Sequence, residues 1–176
     1  MAKGFDYIDE GVHRFEGFSI RFGGDSQGVE LVPIGLVYPE LGNDSSNIVG
    51  IKVVVSANGF RGEYVIDLPL PALFQLRSEL QAWTRDGQKG FTFPSPSQVV
   101  FFSPGIVECT IETVPWSKRE WRVHSRLSDF RRHDDPNDGS SAFLEAYFPI
   151  SSGGLEIARD DLVGFLSYLS TISPQS

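Results

Sequence analysis

The feature that most constrains the fold is a pair of alternating segments joined by Asn58-Gly59. Apolar residues occupy every second position from Ile51 to Val55 before this dipeptide. Asn-Gly tolerates the positive φ angles of a type I′ turn, which joins antiparallel strands through a two-residue loop. The predicted register pairs Ala57 with Phe60, Val55 with Gly62, Val53 with Tyr64 and Ile51 with Ile66. A slip by one residue would turn the apolar face to solvent, so the pattern specifies this register.

A second pair of alternating segments lies at 106–113 and 120–127. One register aligns acidic with basic residues on one face and apolar residues on the other. It pairs Glu112 with Arg122, Thr110 with His124, Glu108 with Arg126, Thr113 with Trp121, Ile111 with Val123, and Cys109 with Ser125. The basic run from Lys118 to His133 could instead be an anion site, but the pairing accounts for most of its charge. Arg131, Arg132 and His133 stay unpaired in this register and are candidates for a partner contact.

The remaining patterns predict further strands at 15–22, 29–38, 99–102 and 142–148, and two helices. Pro33 indicates a bulge or an edge position in its strand. Pro71 opens a helix with an apolar stripe that includes Trp83, a predicted core anchor. Asp160-Asp161 is predicted at the start of the last helix, because acidic residues stabilise a helix N-terminus. Gly153-Gly154 is expected to end the strand that precedes this helix.

These elements predict an α+β fold built on one curved antiparallel sheet of about seven or eight strands. Two helices, near 71–86 and 159–172, pack on one face of that sheet, in the order four strands, helix, four strands, helix. Residues 1–14 are expected to be a loosely ordered N-terminal segment, and residues 15–173 a single domain.

Charge and composition exclude several classes of function. Fifteen Lys and Arg against 23 Asp and Glu give a net charge of −8, which argues against a nucleic-acid binder and suits a basic partner. The single cysteine, Cys109, excludes an intramolecular disulfide. There is no signal-like start and no apolar run of membrane-spanning length, so we expect a cytoplasmic protein without a membrane partner.

No motif for catalysis, cofactor binding or metal binding is found in the sequence. The three histidines (His13, His124 and His133) are not spaced as metal ligands usually are. The acidic loop after His133 is similar to a calcium loop, but Pro136 occupies a position that needs an oxygen ligand. Cys109 and His124 fall on opposite faces of their hairpin and cannot form a nucleophile–base pair. We therefore predict a non-enzymatic protein with no cofactor and no metal.

Two stretches resemble the bacterial immunity proteins of the WapI-associated type. One is residues 51–83, which carry Asn58-Gly59-Phe60-Arg61-Gly62 ahead of a strand and a helix. The other is the C-terminal run from Leu155 through Asp160-Asp161 to the apolar face Leu162–Leu169. The resemblance covers roughly the C-terminal three-quarters of the chain. It implies a strongly twisted antiparallel sheet with two helices, no catalytic residues, and a role in neutralising a contact-dependent toxin.

The leading functional hypothesis is therefore a binding protein that occludes a basic toxin partner, with carboxylates steering association and aromatic residues anchoring it. The candidate partner-binding residues lie in loops: Glu40, Asp44, Trp116, Arg131, Arg132, His133, Asp134, Asp135 and Asp138. An alternative is a small-molecule binder, because a half-open curved sheet and fourteen Phe residues could line an apolar cavity. The sequence leaves the oligomeric state open.

Overall fold

The computed structural model describes residues 13–24, 26–86, 91–93, 105–113, 121–129 and 143–172 of the chain. Nine strands and two α-helices are described, together with a 3₁₀ helix at Pro39–Leu41. The strands are β1 His13–Arg14, β2 Ile20–Gly23, β3 Gln27–Leu36, β4 Ile48–Ala57, β5 Phe60–Pro69, β6 Phe91–Phe93, β7 Gly105–Thr113, β8 Trp121–Asp129 and β9 Phe143–Ile150. The helices are α1 Leu70–Asp86 and α2 Ser152–Leu169.

The strands form two antiparallel sheets. The first has the order β1-β3-β4-β5, with β2 also paired to β3, and the second has the order β6-β7-β8-β9. The α+β class, the antiparallel pairing and the two packed helices are as predicted, but the single curved sheet of seven or eight strands is wrong. The chain leaves the first sheet through α1 and starts a new sheet at β6. Among the described strands, none of the second sheet pairs with one of the first.

Both predicted hairpin registers are confirmed. In the first, Ala57 pairs with Phe60 and the pairing continues without a shift to Ile48 and Pro69. Asn58 and Gly59 have φ of 49° and 88°, as a type I′ turn requires. In the second, Glu112 pairs with Arg122, and every other predicted pair of that hairpin is also found.

The start of α2 differs from the prediction. The helix begins at Ser152, well before Asp160-Asp161, and so Asp160 and Asp161 lie in its interior. The Ser151 hydroxyl accepts a hydrogen bond from the Gly154 backbone N–H at 3.1 Å. This N-cap satisfies one of the free backbone N–H donors of the first turn. Gly153 and Gly154 therefore belong to the helix and do not form the break that was predicted between strand and helix.

Smaller differences concern the strand ends. The register of β3 against β4 shifts between Pro33 and Gly35. Of the two alternatives predicted for Pro33, this shift agrees with the bulge and not with an edge position, because β3 pairs on both sides. The predicted strand at 15–22 is reduced to Ile20–Gly23, and His13–Arg14 of the predicted loose segment pairs with β3 instead. The predicted strand at 99–102 lies outside the described residues, and β6 was not predicted.

The core lies between the inner face of the first sheet and the two helices. It combines Ile20 and Phe22 of β2 with strand residues of β3 and β4 and the apolar stripes of α1 and α2. Phe165 of α2 is fully buried. The centroid of its ring lies 5.1 Å from the ring centroid of Phe15 and 5.2 Å from that of Phe18. Trp83 lies in α1, as predicted, but its side chain is outside the described part of the structure.

Candidate functional site

The segment between β3 and β4, residues 37–47, is a loop made of consecutive hydrogen-bonded turns. The backbone N–H of Leu41 donates to the Tyr38 carbonyl at 3.0 Å, and that of Gly42 donates to Pro39 at 3.0 Å. The Asp44 N–H donates to Leu41 at 2.9 Å. These bonds fix the path of the backbone through the whole 37–47 loop.

Asn47 holds this loop from inside. It is the buried polar residue of the described core, with 0% exposure. Its Nδ2 donates to the carbonyls of Tyr38 at 2.8 Å and Gly42 at 2.7 Å. Its Oδ1 accepts from the N–H of Tyr38 at 3.1 Å and of Ile48 at 2.8 Å. Its own carbonyl accepts from Leu70 N–H at 2.9 Å, which ties the loop to the first turn of α1.

The 37–47 loop presents an aromatic ring and an acidic group to solvent. Tyr38 is 44% exposed, among the most exposed large hydrophobic residues of the described chain. Asp44 is exposed, and its Oδ1 accepts hydrogen bonds from the backbone N–H of Ser46 at 2.8 Å and from the Ser46 hydroxyl. The Ser46 hydroxyl is the main cause that lowers the pKa of Asp44. Asp44 therefore carries a negative charge at neutral pH, close to an exposed aromatic ring in sequence.

The predicted partner-binding residues divide in two groups. Glu40 and Asp44 belong to the 37–47 loop, with Glu40 in its 3₁₀ helix. The others lie outside the described residues: Trp116, Arg131, Arg132, His133, Asp134, Asp135 and Asp138. Tyr38 and Asn47 were not predicted as functional residues. A Tyr-Pro pair at the end of a strand, followed by a loop rich in Gly, Asp and Ser, was the available signal for Tyr38.

The solvent-facing side of the first sheet, called here the outer face, carries a row of paired charges. Arg21 Nε donates to Glu30 Oε1 at 3.1 Å, and the Ser19 hydroxyl donates to the same oxygen at 2.6 Å. Farther across the sheet, Arg61 pairs with Glu63 at 2.7 Å. The hydrogen bond from Ser19 lowers the pKa of Glu30, and Arg21 adds to this effect against the opposing effect of burial.

Replacing Glu30 with Gln is expected to destabilise the protein by about 1 kcal/mol at pH 7. The figure is modest because Arg21 is largely exposed to solvent. Since folding lowers the pKa of Glu30 from its usual 4.5, its contribution is complete above that pH and is lost as the pH falls through the folded-state value. Urea unfolding at pH 7 and at pH 3 measures both effects. An equal difference between variant and wild type at the two pH values would contradict this assignment.

Next to these charges lies a half-open cleft with a volume of about 170 Å³. Its lining residues come from β2, β3, β4, β5 and the turn after β2: Arg21, Phe22, Gly23, Gly24, Gly28, Val29, Glu30, Val54, Ser56 and Arg61. Three of these are glycines, so the backbone is not covered by side chains there. Val54 is only 3% exposed despite its place on the outer face. The apolar cavity predicted inside a half-open sheet stays a prediction. In the described part of the first sheet, the inner face is filled by packed core side chains.

Replacing Gly28 with Ala is expected to destabilise the protein by about 2–3 kcal/mol. A Cβ at this position would lie 2.7 Å from the Gly24 carbonyl oxygen and 2.9 Å from that of Phe22. Both atoms belong to the backbone and cannot rotate away. Gly24→Ala is the matched control, because a Cβ there meets nothing within 4 Å. Thermal unfolding of the two variants should differ clearly, and equal melting temperatures would show that the hairpin relaxes freely.

The exposed side of α2 is also acidic. Arg159 pairs with its neighbour Asp160 at 2.8 Å. Burial raises the pKa of Asp161, and the charge of Asp160 adds to this, while Arg21 opposes it. The predicted capping role of this acidic pair is therefore wrong, because both residues lie inside the helix. Within the described residues, no group of three or more His, Cys, Asp or Glu side chains is placed to hold a metal ion.

No protein-family model and no curated protein matches the chain. It is similar to a solved structure described as "Crystal structures of trypanosoma bruciei MRP1/MRP2", with 12% sequence identity over 88% of this chain and 85% of that chain. The TM-score is 0.43, which is too low to assign a shared fold. In the described part of the chain, no helix is both long and apolar enough to cross a membrane.

Proposed function

We propose that this protein is a non-enzymatic binding protein that binds a basic protein partner through the 37–47 loop. The observation that carries the proposal is the exposed Tyr38 ring on an acidic loop that is held rigid by buried Asn47. Exposed aromatic residues that already have their bound conformation make strong binding anchors, because little conformational freedom is lost on association.

The charge of the chain supports a basic partner. The net charge is −8, and three of the described arginines, Arg21, Arg61 and Arg159, are already paired with acidic residues. Unpaired positive charge on a partner surface would be attracted to the acidic surplus, including Asp44. Such attraction mainly raises the rate of association and depends on salt concentration.

The resemblance to immunity proteins makes the proposal more specific. A protein of that kind would bind the toxic domain of a contact-dependent toxin and cover its working surface. Toxin domains that act on nucleic acid carry positive charge, since phosphate binding requires it. On this proposal the partner is a basic toxin domain, and Glu40, Asp44 and Tyr38 contact it directly.

The test is affinity capture from a lysate of the native organism, with wild type and Tyr38→Ala immobilised side by side and eluted with a salt gradient. We expect wild type to retain a stoichiometric basic protein that is released as salt rises. Tyr38→Ala should bind the purified partner at least about tenfold more weakly, with an unchanged melting temperature. Ala keeps the backbone groups that Asn47 contacts, so the loop itself is preserved.

Matched variants separate a specific contact from a general effect of charge. Asp44→Asn keeps an oxygen that can accept from Ser46 and removes one negative charge, while Glu16→Gln removes one charge from an exposed site outside the loop. Asp44→Asn should slow association more than Glu16→Gln does. A captured protein that binds both Tyr38→Ala and wild type equally, or a retained small molecule without any protein, would refute the proposal.

A further inference from the structure

We propose that the cleft on the outer face is a binding site for a small oxyanion, a carboxylate or phosphate group. This goes beyond the proposed function, because the cleft is built from β2–β5 and their turns and shares no residue with the 37–47 loop. The lining of the cleft brings two cationic side chains together in a protein whose net charge is −8. Its lining includes two arginines, Arg21 and Arg61, and one carboxylate, Glu30.

The two arginines come from strands that are not neighbours in the sheet. Arg21 lies on β2 and Arg61 on β5, with β3 and β4 between them. Both line the same cleft, so their side chains approach it from two sides. A guanidinium group presents several N–H donors in a fixed plane, which suits the oxygens of a carboxylate or phosphate.

Carboxylates already hold both guanidinium groups. Glu63 is not a lining residue, and it accepts from Arg61 Nε at 2.9 Å. Glu30 accepts from Arg21 Nε at 3.1 Å. These exposed pairs are individually weak, so an anionic ligand can compete with the two glutamates for the arginines. The pairs restrict the arginine side chains before a ligand arrives, which lowers the conformational cost of binding.

Glycines leave part of the cleft wall without side chains. Gly23, Gly24 and Gly28 line the cleft, and the space beside Gly24 is open, because a Cβ there would meet nothing within 4 Å. Ser56 supplies a hydroxyl donor on β4. Together these groups provide two cationic donors, one neutral donor and open space beside Gly24, in a volume of about 170 Å³. A site of this size takes an oxyanion group or a small molecule that carries one, and not a large apolar ligand.

The experiment is a titration of the purified full chain with inorganic phosphate, followed through the backbone amide signals of the cleft glycines by NMR. Sodium chloride keeps the ionic strength constant. We expect saturable shifts of the Gly23, Gly24 and Gly28 signals with wild-type protein. Arg61→Gln should weaken phosphate binding at least about tenfold, since it removes one charge-assisted contact. A parallel titration with acetate distinguishes a carboxylate from a phosphate as the preferred group.

Two controls make the result specific. Lys52→Gln removes the same charge from the same face of the sheet but from outside the cleft lining, and should leave affinity within about twofold. Gly24→Gln places a side chain in the cleft and should abolish binding, whereas Gly164→Gln adds the same group to open space on α2. Gly24→Ala replaces Gly24→Gln if the latter fails to fold. Shifts that do not saturate with either anion, or equal weakening by Lys52→Gln and Arg61→Gln, would overturn the proposal.

Discussion

Replacing Asn47 with Ala is expected to lower the free energy of unfolding by about 3 kcal/mol and to free the 37–47 loop. The variant loses four side-chain hydrogen bonds at a site with 0% exposure. Leaving buried donors and acceptors unpaired costs more than the bonds themselves contribute, about 1–3 kcal/mol for each group that water does not reach. Denaturant unfolding measures the stability, and hydrogen exchange of the amides from Val37 to Ile48 measures the order of the loop.

A second variant separates hydrogen bonding from side-chain size. Asn47→Asp has nearly the same shape, but it places a carboxylate oxygen against the carbonyls of Tyr38 and Gly42, where Nδ2 now donates. Burial beside acceptors would raise the pKa of this new carboxyl, so the variant should regain stability as the pH is lowered. Ser46→Ala, at an exposed position of the same loop, should change stability by no more than about 0.5 kcal/mol. Equal losses in Ser46→Ala and Asn47→Ala would contradict the assigned role.

Replacing Phe165 with Ala is expected to destabilise the protein by about 3–5 kcal/mol, the largest effect of any single substitution considered. Phe165 is fully buried in α2, and its ring contacts those of Phe15 and Phe18 edge to face. Truncation removes the apolar surface and leaves a cavity where the N-terminal segment meets the helix. Thermal unfolding measures the loss, which should be cooperative.

Phe165→Leu provides the comparison for that experiment. Leucine keeps most of the apolar volume and loses only the ring geometry, so the loss should be about 1–2 kcal/mol. A similar loss in the Ala and Leu variants would mean that the aromatic geometry decides stability at this site. A small loss in both variants would mean that the packing of Phe15 and Phe18 against α2 contributes little to the stability of the protein.

The two hairpins could be predicted from sequence because their determinants are local. Asn58-Gly59 favours a type I′ turn, and period-two alternation favours one register for each buried face. The partner of each strand residue could therefore be predicted. The register shift next to Pro33 was predicted as one of two alternatives, a bulge or an edge position, since a proline lacks the donor that a regular ladder needs. The start of α2 was not, because acidic residues are favoured near helix starts but do not require one, and Ser151 supplied the cap instead.

The sequence by itself therefore determined the class, the strand pairs within each hairpin and the acidic character of the protein. Only the tertiary structure decided that the strands divide between two sheets, because the choice of non-local neighbours depends on how the helices cover each face. It also decided the candidate sites within the described residues. Tyr38 and Asn47 act together through hydrogen bonds that close a loop, and Arg21 and Arg61 line one cleft although two strands lie between their own. Both arrangements depend on how the backbone folds in three dimensions, so no spacing in the sequence reports them.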